Sequence, residues 1–180
     1  MRVGAIDIGS NSVRLLVADI PDGAAWGPKL DAVARSGEPC RLGKGLHDTG
    51  RVDEDLVERA GTLVGEFLRR ARSLGARHVV AAATAALRRA GNGAAAAERI
   101  SELAGTHVRI LSEADEARLV YRSVILGLGN AARDSQCLVF DLGGGSTEVV
   151  SGVGERLGRW TSLPFGAVTL TERQIGRAHV

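Results

Sequence analysis

The sequence predicts an α/β protein built on a mixed sheet, followed by the opening of a second, similar unit, and three observations carry that reading. An apolar strand at residues 3–8 passes Asp7, turns at Gly9 and the small polar residues Ser10, Asn11 and Ser12, and returns as a second apolar strand to residue 20. The same order of strand, acid, glycine-rich turn and strand recurs in Cys137–Ser151, CLVFDLGGGSTEVVS, about 134 residues later, which marks an internal duplication. Between the two copies, strand-like runs alternate with amphipathic helical patterns, the order that lays helices on a sheet.

Residues 2–8 and 12–20 form the first hairpin. Trp26 to Arg35 alternates weakly and predicts a third antiparallel strand. RLGKGL at 41–46 reads as a loop near the site; it lacks the Ser or Thr after the lysine and the spaced first glycine of a Walker loop. Asp53 opens a helix with acids in its first turn, Glu54 and Asp55, and arginines in its last, as the macrodipole favours. Leu56, Ala60, Leu63, Val64, Phe67 and Leu68 give that helix an apolar stripe. A strand follows over Arg77 to Ala82, then the segment TAALRRAGN from Thr84, a helix over 93–104 and a short strand at 107–111. Ser112 and Asp115 form an S-x-x-D capping signature for a third helix and put Glu116 in its first turn. Leu119, Val120, Val124 and Leu128 are its expected buried face.

The polar, aperiodic GNAARDSQ at 129–136 reads as a connector, so the expected lobes are 1–128 and 129–180. The second begins with strands near 137–141, 146–153 and 155–162, and about 45 residues are too few to cover its sheet. A truncated reading frame is the expectation, with 175–180, IGRAHV, as foreign residues that resemble translated adapter DNA.

Composition narrows the function. A formal charge of +2 is too small to argue for nucleic-acid or membrane binding, which would need a concentrated basic face. Arg69, Arg70 and Arg72, like Arg88 and Arg89, are what helix surfaces carry. The longest uncharged apolar run, Val79 to Leu87, is too short to span a membrane. Cys40 and Cys137 have neither zinc-site spacing nor the number of a disulfide framework, which fits a reduced cytoplasm. His47, His78, His107 and His179 have no ligand partner at helical spacing and read as surface or packing residues.

The chemistry lies in the glycine turns. Without a Cβ, a turn can bring backbone N–H groups up to a phosphate oxygen. Both turns sit inside hairpins, which excludes a Walker loop or a dinucleotide fingerprint, since each needs a helix after its glycines. Two such turns suit one polyanion gripped from opposite sides.

DIGSNSVRLL and FDLGGGSTEVV resemble the two phosphate motifs of the actin-like ATPase and sugar kinase superfamily. Taken with TAALRRAGN and DEARLVY, they most resemble the exopolyphosphatase/guanosine pentaphosphate phosphohydrolase (Ppx/GppA) family, over nearly all of 1–174. The resemblance implies a ribonuclease H-like, actin-like fold: a mixed five-stranded sheet with helices, then the start of a like lobe. It implies a cytoplasmic hydrolase that releases terminal phosphate from polyphosphate or guanosine pentaphosphate (pppGpp), with Mg²⁺ or another divalent cation. A homodimer of the full-length protein is a further expectation; nucleic acid and membrane are not expected partners.

By the same resemblance Glu116 is the catalytic base, although the helix dipole alone would explain an acid there. Arg88 is the cationic clamp. Gly9, Ser10, Asn11, Ser12, Thr84, Gly143, Gly144, Gly145 and Ser146 hold phosphate. Asp141 and Glu148 hold the metal, with Asp7 divided between metal support and bonding its own turn. An ATP-dependent sugar or acetate-type kinase, and a nucleotide-switched actin- or chaperone-like domain, are the alternatives.

Overall fold

The computed structural model describes residues 1–21 and 30–175, with side chains as far as residue 171. β1 (Arg2–Ile8) and β2 (Ser12–Asp19) form the first hairpin and bury Ile6, Ile8, Val13, Leu15 and Val17 on one face. Residues two apart on a strand share a face, so this alternation sets which side meets the core. β3 (Asp31–Pro39) pairs antiparallel with β2; β4 (His78–Ala83) pairs parallel with β1, and β5 (Val108–Ile110) parallel with β4. The sheet order is β3-β2-β1-β4-β5. The third strand thus begins at Asp31 and ends at Pro39, later than the expected Trp26 to Arg35, and Trp26 lies outside the described residues. An edge strand with no fully buried residue leaves little alternation to read, and an edge tolerates its terminal proline.

A single turn, α1 (Leu46–Thr49), precedes α2 (Glu54–Ser73), which Asp53 caps by accepting the N–H groups of Asp55 and Leu56. α2 buries Ala60, Val64, Phe67, Leu68 and Ala71 in one core with the sheet and with α4 (Gly93–Ala104). Between β4 and α4 lies the short α3 (Ala85–Arg89). The opposite sheet face, which carries Ala5, Asp7, Arg14 and Val80, stays open among the described residues.

α5 (Glu113–Leu128) starts where expected, with the Ser112 hydroxyl accepting the Asp115 N–H at 3.1 Å. It packs on a second, antiparallel sheet of β6 (Gln136–Leu142), β7 (Thr147–Val153) and β8 (Arg156–Leu163), in that order. Its buried face corrects the expected one: Ala117, Tyr121 and Ile125 meet Val139 and Val150, whereas Leu119, Val124 and Leu128 are exposed and Val120 is only partly covered. Tyr121 sets this rotation. Its hydroxyl donates to Gly154 O at 2.9 Å, and its ring occupies the space over Gly152 where a Cβ would collide.

The other face of the second sheet shows Leu138, Phe140 and Leu142, exposed at 60%, 65% and 62%. β6 is also a free edge among the described residues. α6 (Ala167–Ile175) closes the described chain, and the expectation about 175–180 falls almost wholly outside it. No helix among the described residues is long and apolar enough to cross a membrane. Cys40 and Cys137 are free thiols, and His47, His78 and His107 are exposed, as expected; His179 lies outside the described residues.

Candidate active site

The two hairpins repeat each other in hydrogen bonding as well as in sequence. Gly9 N–H donates to Ser12 O at 3.0 Å, and Gly143 N–H to Ser146 O at 2.9 Å. Asp7 and Asp141 take the same place before each turn, but opposite Asp7 stands Arg14, and opposite Asp141 stands Glu148. The duplication therefore carries a charge exchange at one position.

In both turns the carbonyl groups are occupied from behind. Ser10 O accepts from Gly43 N, and Asn11 O from Cys40 N and Arg41 N, so the 41–46 loop serves the site as a brace. Arg41 adopts a left-handed φ of 59°, which lets two successive N–H groups reach one oxygen. In the second turn Gly143 O and Gly144 O accept from Ala167 N and Val168 N, the first donors of α6, and Gly145 O accepts from Arg89 Nη1 at 2.7 Å. Across a trans peptide, C=O and the next N–H point in opposite directions. The N–H groups of Asn11, Ser12, Gly144, Gly145 and Ser146 are thus turned away from their braces, and those of Asn11, Gly144, Gly145 and Ser146 donate to no acceptor among the described residues.

The glycines act here by closeness. None of Gly9, Gly143, Gly144 and Gly145 has a positive φ. A Cβ on Gly145 would lie 2.5 Å from Ser10 Oγ, because the two turns touch at that point. A Cβ on Gly166 would lie 2.5 Å from Gly143 O, so α6 can approach the turn only through a glycine.

Around the turns stand four carboxylates. Glu148 is buried and accepts from Ser162 Oγ at 2.9 Å, while Asp7 and Asp141 open to solvent. α5 lies on the sheet face that carries Asp141 and Glu148, which brings Glu116 to them. Arg88 Nη1 donates to Glu116 Oε2 at 2.6 Å and to Leu111 O at 3.1 Å, whereas Arg88 Nε and Nη2 are buried with no partner. Burial pushes Glu116 above its ordinary value; the Arg88 hydrogen bond opposes this, and the charges of Glu148 and Asp7 reinforce it. Asp7 is raised too, first by desolvation in the recess and then by Asp141, against Arg14.

Among the described residues no three His, Cys, Asp or Glu side chains converge as a ready-made metal cage. Thr84 joins β4 to α3, its N–H bonded to Ile8 O, and makes no side-chain cap. The expected site residues thus fall on the two hairpins (the turns with Asp7 of β1, Asp141 of β6 and Glu148 of β7), at the β4–α3 junction and in α3, and at the start of α5. Sequence reasoning missed Arg14, Arg89 and Gly166. Aligning the two copies would have found Arg14, since it matches Glu148 in the repeat; nothing local marks Arg89 over Arg88.

The fold, two sheets each opening on a glycine-turned hairpin, is that of the actin-like ATPases, and the MreB5 protein of Spiroplasma citri bound to ADP shares it. Its TM-score is 0.52 at 14% identity, over 99% of this chain and 57% of that one. Within that class the chain belongs to the Ppx/GppA phosphatase family, whose model matches residues 16–177. It is 37% identical over 177 residues to exopolyphosphatase 2 of Mycobacterium tuberculosis, covering 96% of this chain and 54% of that protein. It is 33% identical over 171 residues to exopolyphosphatase 1 of Mycobacterium leprae, covering 95% and 49%. The crystal structure of the Aquifex aeolicus family member matches at TM-score 0.79 and 38% identity, over 96% of this chain and 54% of that one. The chain thus spans about half the length of these relatives.

Proposed function

We propose that this chain supplies the phosphate-holding and water-activating part of a phosphoanhydride hydrolase that releases the terminal phosphate of inorganic polyphosphate. One observation carries the reading: Arg88 holds the buried Glu116 with one nitrogen while Nε and Nη2 remain without a partner. Those two N–H groups form the planar fork that matches two phosphate oxygens. A phosphate on that fork lies beside the carboxylate, where a base must stand to reach the attacking water.

The oxygen of that water attacks the terminal phosphorus in line with the bridging oxygen, and Glu116 takes the water proton. The phosphorus–bridging oxygen bond breaks, and the chain, one phosphate shorter, leaves with the electron pair. Negative charge on the transferred group meets the free N–H groups of the Ser10–Ser12 and Gly144–Ser146 turns and the Arg88 fork. The raised affinity of Glu116 for a proton suits a base working near neutral pH.

A divalent cation fits the charge of the site. Asp141 and Glu148 stand directly opposite on paired strands, an unfavourable arrangement for two anions alone. Mg²⁺ commonly uses only one or two carboxylates together with water and substrate phosphates, so a converged cage is not required. Asp141 and Glu148, with Asp7 in support, would hold it, and bound there it would neutralise charge on the phosphoryl oxygens.

We take residues 1–128 and 129–180 as the first lobe and the start of the second, with α5 at the end of the first reaching across to cover the second sheet. The free thiols Cys40 and Cys137 suit a reducing cytoplasm. The test is phosphate release by a protein of the relatives' length that carries this sequence, offered polyphosphate, pppGpp and ATP in parallel. Release from polyphosphate is expected; release from pppGpp at a greater kcat/KM would move the substrate to the nucleotide. Turnover of ATP alone would sink the reading in favour of a kinase or nucleotide switch.

A further inference from the structure

Three of the four carbonyl groups that follow Leu142 are held within the second sheet's own part of the chain: Gly143 O and Gly144 O by α6, and Ser146 O by Gly143 N–H. The fourth, Gly145 O, is held by Arg89 of α3, which belongs to the other hairpin's sheet. Arg89 is exposed and has no part in the acid cluster; its neighbour Arg88 points the other way, to Glu116. Arg89 also borders a cavity of about 140 Å³ at the seam, along with Ser10, Leu46, His47, Gly145 and Val168.

We propose that Arg89 is a positioning residue that fixes the Gly145–Ser146 peptide, so that the Ser146 N–H is aimed at the transferred phosphate only while the two glycine turns are closed on each other. The Gly145–Ser146 peptide is trans, so pulling its carbonyl toward α3 turns the Ser146 N–H away from α3. Ser146 itself is buried and its N–H meets no acceptor among the described residues, which leaves that donor free for a ligand. When the turns part, Gly145 O loses its partner and the peptide is released to rotate. Closure of the seam and completion of the phosphate cradle are therefore one event, joined through a single side chain. The inference rests on the phosphohydrolase reading for its ligand, but its geometry stands apart from it.

The test has two arms. In the first, tripolyphosphate is titrated into the isotope-labelled 180-residue chain and the Ser146 amide resonance is followed in wild type, Arg89→Met and Arg89→Lys. The ligand-induced shift of Ser146 should be lost in Arg89→Met, kept in part in Arg89→Lys, and unaltered at Asn11 and Ser12. In the second, steady-state kinetics on polyphosphate use the longer protein. A lost donor of this kind costs about 10²- to 10³-fold, so a mis-aimed one should lower kcat about tenfold or more in Arg89→Met, with KM nearly unchanged and partial rescue by lysine. A wild-type Ser146 shift in Arg89→Met, or a raised KM at unchanged kcat, would overturn the proposal and make Arg89 a general attractor of anions. Should wild type fail to cleave polyphosphate while the Ser146 shift still depends on Arg89, the substrate assignment falls and the positioning role stands.

Discussion

Arg88 and Glu116, 28 positions apart in the chain, meet at 2.6 Å with only 15% and 14% of their side chains exposed. A pair this enclosed is costly to break by removing one partner, about 3–5 kcal/mol, because the other is left as an uncompensated buried charge. The conservative change is therefore the informative one. Glu116→Gln keeps a hydrogen-bond acceptor for Arg88 and removes the base. In the longer protein it should lower kcat about 10²- to 10⁴-fold with little change in polyphosphate binding. A loss below about fivefold would return Glu116 to the role of an acid at a helix start.

The pH dependence of stability tests the crowding of carboxylates. Partial desolvation between the hairpins and the charge of Asp141 raise Asp7 above its ordinary 3.8, against Arg14. An acid with a raised folded value binds its proton more tightly folded than unfolded. Its contribution is therefore most favourable below the ordinary value and is lost as pH rises through the window up to the raised one. Asp7→Asn should melt higher than wild type at neutral pH, and the gain should vanish at about pH 3, where both forms are uncharged. Equal melting temperatures at neutral pH would show that Arg14 already compensates Asp7 in full.

Substitutions along the second turn should rank by contact. Gly144→Ala meets Ser10 Cβ and Val168 Cγ2 at 3.4 Å, ordinary van der Waals distance. Gly145→Ala puts its methyl 2.5 Å from Ser10 Oγ, so that hydroxyl must turn out of the seam, and 3.3 Å from Ala85 Cβ, so the seam must also give slightly. A misplacement of about 1 Å can cost about a hundredfold, so Gly145→Ala should lower phosphate release by about tenfold or more and by more than Gly144→Ala. Ser146→Ala should cost about 1 kcal/mol, the worth of one neutral hydroxyl donor. Comparable kcat values for the two glycine variants would contradict the contact between turns.

Magnesium dependence separates the acids. Asp141→Asn should raise the Mg²⁺ concentration giving half-maximal activity by about tenfold or more, as expected when a ligand carboxylate loses its charge. An unchanged dependence would mean that Asp141 only braces its turn.

The 180-residue chain should self-associate through the second sheet. Leu138, Phe140 and Leu142 form an exposed apolar row on the free-edge strand β6, the combination that invites edge pairing. Replacing Leu138 and Phe140 by lysine should make the chain monomeric in sedimentation without lowering its melting temperature. Persistent association of that double variant would place the contact elsewhere.

How much of this was legible beforehand divides along the distance between interacting residues. Strand alternation in 2–20 and 137–153, the Asp53 and Ser112 caps, and the repeat of Asp7-Gly9-Ser12 as Asp141-Gly143-Ser146 depend on neighbours within a few positions, so the amino-acid order determined them. The family resemblance rests on those same short stretches, and it located both turns, Arg88 and Glu116 as candidates for one site. β3 was misplaced because an edge strand carries little pattern.

What the tertiary structure alone decided is each feature that depends on a partner far along the chain. The inward face of α5 turned on Tyr121 finding Gly154 O, 33 positions away, rather than on the number of leucines in the helix. Local pattern does not distinguish two adjacent arginines on a five-residue helix, and only the resemblance singled out Arg88; packing sent it to Glu116 and Arg89 to Gly145 O. The triplet's glycine at 145 is required by Ser10 pressing on it from the first hairpin, and glycine at 166 is required by the triplet's own backbone, contacts between residues far apart in the chain. Local sequence acts through torsional preference and period, which reach only a few residues; close approach and hydrogen-bond pairing across the seam exist only once the sheets are stacked.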